Sequence, residues 1–203
     1  MSTTRTTTRT LWVSLRAVVA FTVITGVLYT AVVTGIGQLA LPSQANGSLI
    51  RDDEGEVVGS SLIGQPFVDA DGEPLPAYFQ PRPSAAGDGY DGGASSGSNY
   101  GPESPELVAA IEERRAQVAD LEGIAVEDVP ADAVTASASG LDPHISPEYA
   151  AIQVDRVAEE RGLAASVVED LVAAHTTVPP AGIGGSPVVN VVELNVALDG
   201  LAG

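Results

Sequence analysis

Ala17 to Ile36 is a run of twenty consecutive uncharged, mostly apolar residues. At roughly 1.5 Å per residue it is long enough, as a helix, to cross a hydrocarbon core of about 30 Å. A 203-residue chain carrying such a run near its start has room for one span and one modest domain. Arg5, Arg9 and Arg16 precede the run, and no further positive residue follows until Arg51. The asymmetry predicts a cytoplasmic tail (1–10), a transmembrane helix (11–39), a linker (40–47) and an extracytoplasmic domain (48–203). Ser43-Gln44-Ala45 has small residues where a signal peptidase would cut, but a signal peptide's apolar region runs only about 7–15 residues. A retained anchor is therefore expected, in contact with membrane lipid. Thr22, Thr25, Gly26, Thr30, Thr34 and Gly35 supply the small and hydroxylated positions that let a second helix approach closely.

The charge is divided unevenly along the chain. Residues 1–41 carry three Arg and no acid, whereas residues 42–203 carry six Arg against 27 Asp and Glu, a net of −21. A domain this acidic lacks the basic footprint that nucleic acid requires, so no nucleic-acid partner is expected. It suits a soluble or salt-adapted surface, or one that raises local cation concentration. With no Cys there is no disulfide framework and no thiolate nucleophile. Two His alone cannot make a histidine-rich metal centre, and no metal is expected.

Helix punctuation organises the domain. Ser146, Pro147 and Glu148 read as N-cap, first helical residue and a carboxylate at the positive helix end, and Gly162 reads as the stop. Ser104, Pro105 and Glu106 repeat that grammar, with Gly123 as the stop. Helices are predicted over 105–121, 147–161 and 166–175. Ser48–Ile50 and Val57–Ile63 have strand content around an acidic turn at 52–55, and 188–194 reads as a buried C-terminal strand interrupted by Asn190 and Glu193. The Gly/Ser-rich stretch 87–105 reads as a long loop, and the polar residues 1–10 as irregular. Together these give an α+β domain anchored by one N-terminal transmembrane helix.

Ahead of the helix capped by Ser146 lies the connector SASGLDPHIS, where Gly140 and Asp142-Pro143 favour a turn. Ser139, Asp142 and His144 have the residue types of a hydrolytic set. Their closeness in sequence would demand unusual loop geometry for a productive relay. Local bonds from Ser139, Asp142 and Ser146 to backbone N–H groups are the expected use. Arg82, in YFQPRPSA, is expected to tie to a carboxylate or to dock against a partner.

Five blocks stand in order behind the span: SSLIGQPF from Ser60, YFQPRPSA from Tyr78, SGSNYGP from Ser96, SASGLDPHISPEYA with QVDRVAEERGL, and VVNVVELNVALD from Val188. In this combination the chain resembles, over nearly its whole length, the KdpC family of the bacterial Kdp potassium-transporting P-type ATPase. The resemblance implies a non-catalytic accessory subunit in the bacterial cell membrane. Its implied partners are a potassium-translocating subunit, an ATP-hydrolysing subunit and a small membrane peptide. Its implied role is in assembly and as a catalytic chaperone that raises the pump subunit's affinity for ATP. ATP is thus implied as a ligand, although the arginine asymmetry sets this domain and cytoplasmic nucleotide on opposite sides of the membrane. The blocks nominate Arg82, Ser98, Asn99, Ser139, Gly140, Asp142, His144, Ser146, Gln153, Arg156, Asn190 and Asn195 as candidate interface or structural positions. A membrane-tethered hydrolase using Ser139, Asp142 and His144 is the alternative.

Overall fold

The computed structural model describes residues 2–52, 54–179 and 185–201, with side chains from Thr7 onward. The chain divides into two compact units, Met1–Ser48 and Leu49–Gly203.

The first unit is helical. Helix α1 (Ser2–Thr22) passes through a π-helical segment, Val23–Leu28, into α2 (Tyr29–Ala40). Thr7–Ala40 is long and apolar enough, by length and composition, to cross a membrane. The π segment follows from local chemistry: Thr25 Oγ1 donates to the Phe21 carbonyl at 2.7 Å, drawing on the backbone ladder where the helix widens. The polar tail expected to be irregular is helical from Ser2. Leu41 leaves the helical region, and Pro42 opens a four-residue turn, α3 (Pro42–Ala45), inside the stretch read as a linker. Asn46 braces this turn by donating to the Pro42 carbonyl at 2.7 Å.

The second unit mixes helices with two small antiparallel sheets. Strands β1 (Leu49–Arg51) and β2 (Val57–Ser60) form the expected hairpin, with a register shift between Ile50 and Arg51. Irregular chain then runs to Ser104. Helix α4 (Pro105–Glu122) follows, then a short helical turn α5 (Ala131–Val134), strand β3 (His144–Ile145), helix α6 (Pro147–Arg161) and helix α7 (Ala165–Ala174). Strands β4 (Thr176–Thr177) and β5 (Val188–Asn190) lead to helix α8 (Val191–Asp199). The second sheet has the order β3-β5-β4, antiparallel throughout.

The helix signals worked as read. Ser104 accepts from Leu107 N–H at 3.1 Å and Ser146 from Tyr149 N–H at 2.9 Å. Gly123 and Gly162 end α4 and α6 at φ 66° and 64°, a left-handed conformation that glycine adopts without steric cost. The third helix starts at Ala165 and stops at Ala174, one residue before His175.

The C-terminal strand is corrected. Only Val188–Asn190 pair, and the chain then turns into α8. Asn190 causes the change: its Oδ1 accepts from Val192 N–H and Glu193 N–H, both at 3.1 Å. Val191, Leu194 and Leu198 then share one buried helical face. That face meets Phe79, Ile145, Val157, Val168 and Val189 in the core of the domain. Of the loop read over Val178–Pro187, residues 180–184 lie outside the described residues, as does Asp53 of the acidic turn.

Candidate functional site

The nominated side chains collect into two neighbourhoods. The first is the connector. Arg82 Nη1 donates to Asp142 Oδ2 at 3.1 Å, and its Nε and Nη2 both reach the Thr135 carbonyl at 3.3 Å. Asp142 Oδ1 accepts from His144 N–H at 3.0 Å and lies 3.1 Å from His144 Nδ1. The hydrogen bond from His144 is the largest influence holding the Asp142 carboxyl below its usual range; partial burial opposes it, and the Arg82 guanidinium adds to the lowering. Arg82 thus makes the carboxylate tie expected of it.

Ser139 does not complete a relay. Its Oγ accepts from Leu141 N–H at 3.1 Å and lies 3.3 Å from Ser137 Oγ. No hydrogen bond joins Ser139 to His144 among the described residues, so the Asp–His pair forms without its nucleophile. Ser146 is likewise occupied, donating to Asp132 Oδ1 at 2.8 Å while Asp132 Oδ2 accepts its N–H at 2.7 Å. The Asp132 carboxylate therefore sits at the positive end of α6.

Gly140 explains how the glycine-rich loop is fastened to the connector. Its φ is +70°, and a Cβ there would come within 2.5 Å of the Ser96 carbonyl and 2.8 Å of Ala86 N. Ser96 N–H and Ser95 Oγ donate to the Ser139 carbonyl at 3.0 and 2.9 Å, and Ser84 Oγ donates to the Gly140 carbonyl at 2.7 Å. Beyond this seam Ser98 is half-buried. Asn99 turns at φ 53°, a conformation asparagine tolerates, with Nδ2 donating to the Gly97 carbonyl at 3.0 Å.

The second neighbourhood holds the segment Pro76–Gln80 against α6 and α8. Gln153 Oε1 accepts from Gln80 N–H at 2.6 Å, and its Nε2 donates to the carbonyls of Gln80 and Tyr149 at 3.2 and 3.3 Å. Asn195 pairs with both backbone groups of Phe79 at 2.9 Å. Arg156 grips Glu122 with Nε at 2.8 Å and Nη2 at 3.0 Å, and its Nη1 donates to the carbonyls of Pro76 and Tyr78. Burial raises the Glu122 carboxyl above its ordinary value, and Arg156 offsets part of that rise. Asn190, besides capping α8, donates to the Ser61 carbonyl at 2.9 Å and so ties the end of the hairpin to the sheet.

Sequence reasoning missed Gln80, Glu122, Asp132 and Tyr90. Gln80 sits inside the block YFQPRPSA and Glu122 one residue before the Gly123 stop, so each adjoins a feature that the sequence does signal. Tyr90, whose hydroxyl donates to the Arg82 carbonyl at 2.8 Å, has no local signal.

The sequence model described as KdpC: K+-transporting ATPase, c chain, matches residues 11–200. The chain belongs to the KdpC family. Its relatives include the potassium-transporting ATPase KdpC subunits of Methylococcus capsulatus, 52% identical over 93% of this chain and 96% of the relative, and of Gemmatimonas aurantiaca, 54% identical over 90% and 88%. The KdpC protein of Kineococcus radiotolerans is 54% identical over 85% and 84%. Membership of the KdpC family raises the question of ATP. A triphosphate needs uncommitted cations or an open helix N-terminus against its oxygens. Along the cleft between the proline-rich segment and helices α4 and α6, Arg82 is committed to Asp142 and Thr135, Arg114 donates to the Val134 carbonyl, and the start of α6 is filled by Asp132. These residues do not fit a nucleotide.

Proposed function

We propose that this chain is the accessory subunit of an ATP-driven potassium import complex. It is held in the bacterial cell membrane by one span, with its N-terminus cytoplasmic and its domain extracytoplasmic. The observation that carries this reading is the family match over residues 11–200, which takes in both the span and the domain. The side-chain geometry supports it. Gln153, Arg156, Asn195 and Asp142 are all spent on cross-ties that stiffen the domain, as suits a scaffold that binds other proteins.

The proposed partners are the potassium-translocating subunit, the ATP-hydrolysing subunit and the small membrane peptide. The proposed effect is help in assembly and a higher ATP affinity of the hydrolysing subunit. It is exerted through contacts with those partners, because Arg82 and Arg114 are engaged internally. Potassium-stimulated ATP hydrolysis by complexes prepared with and without this chain tests the proposal. A higher KM for ATP without the chain is expected, and an unchanged KM in an intact complex would contradict the chaperone role.

A further inference from the structure

The chain leaves the apolar helix through a tightly folded turn. Gln38 carries the first amide side chain after the uncharged run and marks where the helix leaves hydrocarbon. Asn46 Nδ2 donates to Gln38 Oε1 at 3.1 Å, and Ser48 N–H donates to the Ser43 carbonyl at 2.9 Å, so residues 42–48 fold back beside the end of α2. Leu49, the first residue of β1, follows Ser48 by one peptide bond, about 3.8 Å between Cα atoms. In a chain anchored by that helix, the hairpin therefore begins at the membrane surface. Its two faces are unlike. Ile50 pairs with Gly59, and a Cβ at Gly59 would come within 2.4 Å of Gln65 Nε2 and 3.1 Å of Val192 Cγ1, so that face is turned onto the domain. Alternation along the strand puts Leu49 on the other face. Leu49 is 48% exposed, Val57 49% and Leu62 61%. Leu62 is pinned in this state: its N–H donates to Ser60 Oγ at 3.1 Å, and the carbonyl of the preceding Ser61 accepts from Asn190. Most of the domain's other exposed large apolar residues stand singly along the chain, whereas these gather within residues 49–63. An apolar patch held open by a rigid turn carries a hydration cost until something covers it.

We propose that the outer side of the hairpin, Leu49, Val57 and Leu62 with Ile63, seats in the boundary between headgroups and acyl chains of the leaflet into which the helix exits. The bilayer is the occupant because the covalent path from Gln38 to Leu49 already delivers the hairpin to it. Residues 42–48 carry no charge, so no hydrated charge holds the exit turn off the surface. The lipid it suits is neutral overall. Four acidic residues stand between positions 52 and 56, and Arg51 beside them has its Nη1 on the Gly55 carbonyl at 2.7 Å. Anionic headgroups gain no attraction from such a turn, and burial of the aliphatic side chains drives the seating. A domain on a single helix can pivot about it; a second hold on the bilayer fixes its tilt and so the surfaces it offers to partner proteins.

The inference rests on the membrane-anchored reading, and a control inside the helix keeps their failures apart. The chain has no Cys, so Leu62→Cys supplies a single thiol for a fluorophore. The assembled complex carrying it is placed in phosphatidylcholine vesicles whose lipid bears a nitroxide high on the acyl chain. Quenching at least about twofold stronger than for the exposed control Val126→Cys is expected, as for a side chain about 5–10 Å into the boundary. Quenching no stronger than at Val126, while a label at Ile24→Cys is quenched, overturns the seating and leaves the anchor standing. A label at Leu62 shielded from both the nitroxide lipid and an aqueous quencher lies under protein, and it too overturns the seating. An unquenched label at Ile24 overturns the anchor and the inference together. Should the chain join no complex, the accessory-subunit reading fails, and the full chain alone in the same vesicles gives the same comparison, because the contact requires only the helix. Replacing half of the phosphatidylcholine by phosphatidylglycerol should leave the quenching at Leu62 level or lower it; a rise would overturn the assignment to a neutral surface.

Discussion

Gln153, on α6, accepts a 2.6 Å hydrogen bond from the backbone N–H of Gln80, a residue 73 positions earlier in the chain. The same amide returns a bond to the Gln80 carbonyl, so an irregular segment is held in the core as a strand would be, by a side chain instead of a neighbour. Replacing Gln153 with Leu keeps much of the volume and leaves both Gln80 groups unpaired. A loss of about 2–4 kcal/mol in unfolding free energy is expected, from two buried backbone groups at about 1–3 kcal/mol each. Urea unfolding of the full chain measures it, and a loss indistinguishable from that of an exposed control such as Val126→Ala would contradict the role.

Two of the capped helix starts, on α6 and α8, differ in what their caps carry. Ser146→Ala should cost about 1 kcal/mol for the lost cap, and more because Asp132 loses its hydroxyl partner. Asn190→Ala should cost at least as much, since the cap of α8 and the tie to Ser61 go together. Equal stability of either variant and the parent in urea unfolding would show that the cap is dispensable.

Asp142 makes stability depend on pH in a defined direction. Its folded value lies below the unfolded one, so its contribution is fully present above the ordinary carboxylate range and is lost as pH falls through the folded value. Asp142→Asn should therefore destabilise the chain near neutral pH, and the gap to the parent should close in acid. A gap that stays constant across that range would rule out the carboxylate as its source.

How much of this was legible in the sequence depended on whether the cause was local. Ser104-Pro105 and Ser146-Pro147 announce helices because a cap acts within three residues, and Gly162 marks an end for the same reason. The run from Val188 was ambiguous, because valine-rich segments fit a buried strand or a buried helix, and only the bonds from Asn190 decide between them. The union of Arg82, Asp142 and the glycine-rich loop follows from contacts 40 to 60 positions apart, which no spacing rule reaches.

The side of the membrane is tested at Ser96, an exposed position in the loop that borders the connector. With Ser96→Cys as the only thiol in a chain that has none, an impermeant maleimide should label intact cells. Labelling that requires lysis would reverse the topology.

His144→Ala should leave potassium-stimulated ATP hydrolysis of the assembled complex unchanged, because the ring serves Asp142 and bonds no hydroxyl nucleophile among the described residues. Abolished turnover at equal stoichiometry of the components would give the connector a direct mechanistic part.

The central claim is that this chain works as part of a potassium-transporting ATPase, and affinity purification of the tagged full chain from its own membranes tests it most directly. The account predicts that an ATP-hydrolysing subunit and a potassium-translocating subunit elute with it in fixed ratio, with ATP hydrolysis that rises on adding potassium. Elution of the chain alone, or with ATP hydrolysis indifferent to potassium, would contradict it.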